Sequence, residues 1–465
     1  MDKSLDEALR ARALLSRAAM RRAEQDHKGA LADINAAFAI GGGDTAARLE
    51  RARLLNRLGQ SEEAINELDL VTGEDPSLGE AYTLRADILM SLGQTDRAMK
   101  NLAQARRLHP DDPRLFSLRG LIFLRTGDAK SAVGELKQAY ELAPGNLGIL
   151  RLLGTALLRD GQPIAAILAF DDLIINAPDN LDFRMLRATA HGQVKNYKAA
   201  IADYTEALKA QPDNLKAREA RGIASLFNSN ARAAEEDFNI LLALYPANQR
   251  MSLFRGSARF ALQDYAGAEE DFNNVLKEFP NDADTRLNRG LARLAMGRPN
   301  EAIQDFNVSL IREPNSELAQ RRRAQAYLLT GQFTESLSDF DSLPAPRPAD
   351  AIWRFIAAKR SGTQDALETL QRMTKGIDPN VWPGALIDGL EGQAPIAIVI
   401  AEAGRDPVYS AARITETQFV LGQLALANNQ FDLAQESFEN AINIGTSDLI
   451  EYQGAALELQ RLVRD

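Results

Sequence analysis

Residues 247–280 read ANQRMSLFRGSARFALQDYAGAEEDFNNVLKEFP, and residues 281–314 read NDADTRLNRGLARLAMGRPNEAIQDFNVSLIREP. Laid over one another without a gap, they match Leu253 with Leu287, Arg255 with Arg289, Gly256 with Gly290, Ala268 with Ala302, Asp271 with Asp305 and Phe272 with Phe306. Both stretches close on a proline, Pro280 and Pro314, so the offset is 34 residues. The same spacing runs outward through Pro76, Pro110, Pro144, Pro178, Pro212 and Pro246, and continues at Pro348. Eighteen prolines scattered at random would not keep one interval.

Other positions keep step. A small residue recurs at Ala52, Ala86, Gly120, Gly154, Ala188, Gly222, Gly256, Gly290 and Ala324. Twelve residues on stand Ala64, Ala98, Ala132, Ala166, Ala200, Ala234, Ala268, Ala302 and Ser336, and four further on Leu68, Leu102, Leu136, Phe170, Tyr204, Phe238, Phe272, Phe306 and Phe340. This pattern predicts two helices of about 13 residues, each ~20 Å long, joined by a tight turn. Gly59, Gly93, Gly127, Gly161, Gly297 and Gly331 fall at that turn, where a positive φ is commonly needed. Asp128 and Ser61 are expected to cap the second helix, and the proline to end it. Asp112 and Pro113 are expected to start the next unit as N-cap and first helical residue. The two small residues let the helices approach, and the bulky one is expected to fill the gap towards the next hairpin.

Repeat positions are numbered from 1 at residues 11, 45, 79 and onward to 317, which makes ten repeats, the first and last degenerate. A 34-residue helix–turn–helix period resembles the tetratricopeptide repeat. The expected fold is all-α, a right-handed superhelical solenoid of such hairpins over residues 1–350. Residues 341–348 make a proline-rich break. Residues 351–414 read as irregular short helices, with the run Ile396 to Ile400 ambiguous between helix and strand. One repeat returns at 415–448 with Gly422, Ala434, Phe438 and Ala441 in register, and 449–465 reads as a helical cap with charge on its outer face.

Composition narrows the function. The 465 residues are 45% hydrophobic and 25% charged, as in a folded chain. A net charge of −10 does not suit nucleic acid or an anionic membrane. There is no cysteine, hence no disulfide, thiolate metal site or cysteine nucleophile. No stretch approaches 18 apolar residues, so no transmembrane segment is expected. The start Met1-Asp2-Lys3-Ser4 has no apolar leader. Either the protein is cytosolic, or a native signal preceded this sequence.

The tail is more specific. Thr415-Glu416-Thr417-Gln418-Phe419-Val420-Leu421-Gly422, Glu451-Tyr452 and Leu457-Glu458-Leu459 resemble the final repeat and end of the NlpI-type bacterial lipoproteins. The tryptophan-led helix at Trp353 matches the same arrangement. That resemblance implies a periplasmic, dimeric, lipid-anchored adaptor that brings a protease to cell-wall hydrolases. It carries over no partner-contact residue, and the anchor cysteine is missing here.

Chemistry-bearing residues are few. His27, His109 and His191 fall at turns and packing positions. Asp378, Asp388, Glu391, Glu402 and Asp406 are candidate paired carboxylates, more simply solvated loop charges. Gly41-Gly42-Gly43 reads as a flexible loop rather than a phosphate loop. No metal spacing occurs and no cofactor is expected. Arginine fills position 7 at Arg17, Arg51, Arg85, Arg119, Arg187, Arg221, Arg255, Arg289 and Arg323. Position 23 holds Asp33, Glu67, Asn101, Glu135, Asp203, Asp237, Asp271, Asp305 and Asp339. The repeat with Leu153 at position 7 has Ala169 at position 23, so both members vanish together. That favours an internal ion-pair ladder over a basic stripe for an acidic ligand.

The concave face is expected from positions 5, 9, 12 and 13 of the first helices. It runs from polar Arg53, Asn56, Arg57, Thr83, Asp87 and Ser117, through Arg125, Arg151, Thr155 and Arg159, to apolar Leu253, Phe260, Leu287, Leu291 and Leu294. For the last group, groove and packing stand as equal readings. No Lys/Asn pair sits at positions 5 and 9 of one helix, so a dicarboxylate clamp is not expected. The leading reading is a non-catalytic adaptor that binds proteins or peptides in this groove, in the bacterial envelope. The alternatives are a general scaffold in pilus or polysaccharide assembly or in the cytosol, and an enzyme with its site in 351–414.

Overall fold

A computed structural model describes residues 3–445 and 447–463. Met1 and Asp2 of the start, Thr446 of the final repeat, and Arg464 and Asp465 of the cap lie outside the described residues. Among the described residues there are twenty-seven helices and no strand. The run at 396–400, ambiguous in sequence, is helical.

The chain divides into two compact units, residues 1–212 and 213–465. The first holds six hairpins: α1 (Lys3–Ala23) with α2 (His27–Ala39), α3 (Thr45–Arg57) with α4 (Ser61–Glu74), α5 (Gly79–Ser91) with α6 (Thr95–Leu108), α7 (Pro113–Thr126) with α8 (Ala129–Leu142), α9 (Leu147–Arg159) with α10 (Pro163–Asn176), and α11 (Leu181–Gln193) with α12 (Tyr197–Ala210). The second begins with four more: α13 (Leu215–Phe227) with α14 (Ala231–Leu244), α15 (Gln249–Ala261) with α16 (Tyr265–Glu278), α17 (Ala283–Ala295) with α18 (Pro299–Arg312), and α19 (Glu317–Leu329) with α20 (Phe333–Asp341). It continues through α21 (Pro348–Ser361), α22 (Ala366–Met373), α23 (Gly384–Leu390), α24 (Ile396–Ala403), a last hairpin α25 (Ser410–Ala427) with α26 (Phe431–Ile444), and α27 (Ile450–Leu462).

Local chemistry sets the helix ends. Position 34 supplies the N-cap of most first helices. The side chains of Asp44, Asp112, Asn146, Asn180, Asn214, Asn248, Asp282 and Ser316 each accept a backbone N–H two or three residues on. Asp128 caps α8 as expected, but Ser61 does not cap α4. Ser61 is already the first helical residue there, and its hydroxyl donates instead to Asn56 Oδ1 at 3.4 Å. The hairpin turn demands a left-handed residue whatever its identity. Gly59, Gly297 and Gly331 have φ of 81°, 72° and 80°, and where glycine is missing Lys195, Ser229, Gln263 and Asn429 adopt 58–65° at the same position. Of the triple glycine at 41–43, Gly41 is open with a φ of 78°, while Gly42 and Gly43 are packed. A Cβ on Gly42 would meet Ala11, and one on Gly43 would meet the Phe38 ring, each at 2.0 Å.

Packing inside a hairpin turns on position 8. A Cβ on Gly154, Gly256, Gly290 or Gly422 would come within 2.5–2.7 Å of the ring of Phe170, Phe272, Phe306 or Phe438, all fully buried. The bulky residue therefore fills space against the first helix of its own hairpin, and it also reaches towards the next one, as the Phe238 ring does in stacking on Phe254 of the following hairpin at 5.7 Å. Where position 8 is Ala52 or Ala86, the partner shrinks to Leu68 or Leu102. Positions 8 and 20 face each other, as the Ser336 hydroxyl donating to the Ala324 carbonyl at 2.8 Å attests.

The arginine ladder is internal. All nine position-7 arginines bond the position-23 residue of their own hairpin. Arg221 reaches Asp237 at 2.7 and 2.9 Å, Arg289 reaches Asp305 at 2.6 and 2.9 Å, and Arg323 reaches Asp339 at 2.6 and 2.7 Å. Arg17, Arg51, Arg85, Arg119, Arg187 and Arg255 follow the same pattern. Several guanidinium groups also reach position 25 of the preceding hairpin: Arg187 to Asp171 at 2.6 Å, Arg255 to Asn239 at 3.0 Å, Arg289 to Asn273 at 2.6 Å and Arg323 to Asn307 at 2.8 Å. Leu153 and Ala169 replace the pair by buried apolar contact.

Two tests follow from this packing. Arg323→Leu and Asp339→Ala should each cost ~1–3 kcal/mol, and the double change clearly less than their sum. Hydrogen exchange of the α19 and α20 amides reads the cycle locally, since a long repeat array need not unfold in two states. A coupling energy within ~0.5 kcal/mol of zero would contradict a cooperative pair. At the turn, Gln263→Gly should stabilise its hairpin by roughly 0.5–1 kcal/mol and Gly331→Ala destabilise its own by ~1 kcal/mol, both read as melting shifts.

Candidate functional site

In the N-terminal unit the first helices lie side by side, and position 9 of α3, positions 5 and 9 of α5 and position 5 of α7 and α9 open onto a cavity of about 480 Å³. Arg53, Thr83, Asp87, Ser117 and Arg151 line it, as the sequence led us to expect. Sequence reasoning missed the rest of the wall. Position 2 contributes Glu80, Arg114 and Gly148, position 6 contributes Leu84, Leu118 and Leu152, and Asn146 and Ile149 complete it. Position 2 lies near enough to 5 and 6 along one helical face for the spacing to have revealed it.

The charges in this cavity are unevenly committed. Arg53 pairs with Glu50 at 3.0 Å and Glu80 at 2.5 Å, and Arg114 pairs with Asp112 at 2.8 Å. The Thr83 hydroxyl donates to the Gly79 carbonyl at 3.0 Å. Burial pushes the Asp87 carboxyl above its usual range, with Arg125 pulling the other way. Arg151 is exposed on α9 and makes no ion pair or side-chain hydrogen bond among the described residues.

Other expected groove residues have structural duties. The Arg125 guanidinium donates to the Met90 carbonyl at 3.0 Å, and that of Arg159 donates to the Leu124 carbonyl at 2.9 Å. Each ties the end of one first helix to a carbonyl at the end of the first helix before it. The Thr155 hydroxyl donates to the Arg151 carbonyl at 2.9 Å, within its own helix. Asn56 accepts from Ser61 at the turn, and Arg57 is exposed in the last turn of α3, outside the cavity.

In the C-terminal unit the same face is largely covered. Leu294 is buried, and Leu287 and Leu291 pack against a core that also includes Ile450 and Leu457 of α27. Leu253 is half-buried on α15. Phe260 packs edge-on against Tyr265 at 5.3 Å. Phe260, Leu291 and Leu294 line a second cavity, of about 350 Å³, with Arg322, Asp448 and Ile450. Leu287, Leu291 and Leu294 thus serve packing, because the chain's own last helix packs on the same core.

The remaining candidates are engaged locally. Glu391 accepts from the Thr374 hydroxyl at 2.9 Å, Glu402 pairs with Arg405 at 2.9 Å, and Asp406 pairs with Arg413 at 3.1 Å. Asp378 accepts from the Asn380 backbone N–H at 2.9 Å. His109 sits against Gly79, where a Cβ would meet its ring at 2.1 Å. Among the described residues, no three acidic or histidine side chains converge as a metal site, and no helix is long and apolar enough to cross a membrane.

Sequence profiles of the tetratricopeptide repeat match residues 83–146, 151–214, 187–226, 219–283 and 287–351, and a second profile of that repeat matches 21–88. This chain is a tetratricopeptide repeat protein. Such repeats are interaction scaffolds that bind proteins and peptides. No curated protein matches the sequence. Similar solved structures include a tetratricopeptide repeat protein from Parabacteroides merdae, 21% identical, covering 56% of this chain and 98% of its own, with a TM-score of 0.42. Another is YrrB, described as a TPR protein with an unusual peptide-binding site, 21% identical over 40% of this chain and 97% of its own, with a TM-score of 0.37. MamA from Desulfovibrio magneticus is 19% identical over 37% of this chain and 96% of its own, with a TM-score of 0.35.

The division of labour among the groove arginines is testable. Arg159→Ala should destabilise the N-terminal unit by ~1 kcal/mol through the lost carbonyl bond. Arg151→Ala should leave stability within ~0.5 kcal/mol. Thermal melts of the two variants beside the parent protein measure both.

Proposed function

We propose that this tetratricopeptide repeat protein is a non-catalytic scaffold that takes an extended, acidic segment of a protein partner into the groove of its N-terminal unit. The observation that carries this reading is the exposed, unpaired Arg151 in a cavity whose other cations already have carboxylate partners. Beside it, Leu84, Leu118 and Leu152 offer apolar contact, and Ser117 and Asn146 offer hydrogen bonds to a peptide backbone. A groove crossing four successive helices suits an extended chain better than a compact ligand.

The test uses peptides selected by the purified protein from an array of random sequences. The selected set should be enriched in Asp and Glu, and Arg151→Glu should weaken those peptides about tenfold or more, with the melting temperature unchanged. Equal affinity for both proteins would sink the assignment of the site.

The finer reading is an envelope adaptor of the NlpI type, periplasmic, dimeric and lipid-anchored. It is supported by the residue pattern of 415–422 and of Glu451-Tyr452 with Leu457-Glu458-Leu459. Cell fractionation of the native protein, with sedimentation for its oligomeric state, decides this against a cytosolic scaffold.

A further inference from the structure

In the N-terminal unit one second helix is unlike the rest. Positions 18, 22 and 29 are exposed on α8, α10 and α12 alike. On α10 they hold Ile164, Leu168 and Ile175, which are 70%, 63% and 76% exposed. No other second helix of the array carries a large apolar residue at more than one of these positions. In the neighbouring hairpins position 22 is small, Gly134 on α8 and Ala202 on α12, so the Leu168 side chain stands clear on its own helix. No residue of α8, α10 or α12 lines the cavity of the first helices.

The ladder breaks at this same hairpin, and the hairpin before it supplies the reason. Elsewhere the position-7 guanidinium reaches an oxygen at position 25 of the preceding hairpin, as Arg187 does at Asp171. For residue 153 that place is held by Lys137. An arginine there would meet a like charge, and Leu153 does not. Lys137 is left exposed, and neither it nor the exposed Lys130 and Lys198 makes an ion pair among the described residues. The free charges around the stripe run in one direction. Lys130 and Lys198 share position 18 with Ile164, towards the N-terminal ends of their helices. Glu141 shares position 29 with Ile175, and Asp172 lies three residues before it, towards the C-terminal ends. The other carboxylates of these three helices are committed. Arg187 holds Asp171 and Asp203, each at 2.6 Å, Arg119 holds Glu135 at 3.0 Å, and Lys209 holds Glu206 at 2.7 Å.

We propose that this face pairs with the same face of a second copy of the chain, α10 antiparallel on α10 across a two-fold axis. An axis passing between positions 23 and 24 sends position 18 onto 29 and position 22 onto 25. Ile164 then packs on Ile175 of the second copy, and the two Leu168 side chains meet beside the axis, in the isologous manner of a closed dimer. Asp171, brought opposite Leu168, already has its charge met by Arg187. The axis also exchanges α8 with α12, so Lys198 meets Glu141 of the second copy on each side. Lys130 meets the Glu206–Lys209 pair, which is neutral. That polarity selects the occupant. A uniformly acidic helix or an anionic membrane would satisfy Lys130 and Lys198 but oppose Glu141 and Asp172, whereas a reversed copy presents the matching order of charge. Three helix faces of ~21 Å make a small interface, so the dimer is weak, held at roughly micromolar protein. The surface is separate from the acidic-peptide groove and does not rest on that reading.

Sedimentation equilibrium of the full chain from ~1 to ~200 µM should show monomer and dimer in exchange. Leu168→Asp, at an exposed position, should weaken the dimer at least about tenfold and leave the melting curve unchanged. Lys198→Glu and Glu141→Lys should each weaken it about tenfold, since each sets like charges together on both sides of the axis. Mixed in equal amounts, these two variants should associate about as tightly as the parent, because each supplies the charge that the other lacks. A parent chain that stays monomeric over the whole range, a dimer indifferent to Leu168→Asp, or a mixture no more associated than its components would overturn the pairing. Binding to vesicles of anionic lipid that Leu168→Asp abolishes, in a chain that does not self-associate, would overturn it in favour of a membrane. A dimer indifferent to Leu168→Asp would leave the dimeric envelope reading standing while this contact falls, and the acidic-peptide test, read at Arg151, is untouched by either result.

Discussion

An arginine found in nine of the ten repeats does two jobs at once. Its guanidinium grips a carboxylate on the second helix of its own hairpin, and in several repeats an oxygen on the hairpin before it. The first grip sets the level of the two helices, and the second sets the step to the next hairpin. The planar, forked donor set of arginine allows both, and lysine would not replace it. A surface ion pair contributes little, but these carboxylates are buried at the hairpin seam, and Asp271 and Asp305 are wholly inaccessible. Because the step is fixed, positions 5 and 9 of successive first helices line up, and the face that binds or packs is defined residue by residue.

The legible features were those that recur. Positions 7, 8, 20, 23 and 24 were readable because each is dictated by contacts within one hairpin, so the same residue type returns every turn of the repeat. The joint loss at Leu153 and Ala169 revealed a pair before any distance was known. Five cavity residues were found from their place at positions 5 and 9 of the first helices, although the residue type there varies from repeat to repeat. Position 13 was misread because a basic residue at the end of a helix looks alike whether it faces a ligand or a neighbouring carbonyl. Only the preceding repeat's helix end, whose Met90 and Leu124 carbonyls come within reach of Arg125 and Arg159, distinguishes the two.

What lay beyond reach was anything set by sequence-distant surfaces. Nothing around Leu287 or Leu291 says that α27, more than 150 residues away, will cover them. The Ser61 error was of a smaller kind. A hydroxyl near a helix start is a cap only when it stands one residue before the helix, and the turn at Gly59 delivers Gln60 to that place.

The ladder and the closing block differ in how they tolerate duplication. Most repeats between α3 and α18 offer their neighbours the same arginine and acidic partner that they receive from them, with Leu153 and Ala169 the exception, so copies can be gained or lost there with little unmatched surface. The block from α19 onward has no such interchangeability, since Arg321 needs Asp350, Leu329 needs Arg461 and Gln423 needs Glu458, each a partner found once. Array length is thus free to vary during evolution on one side of α19 and is frozen on the other.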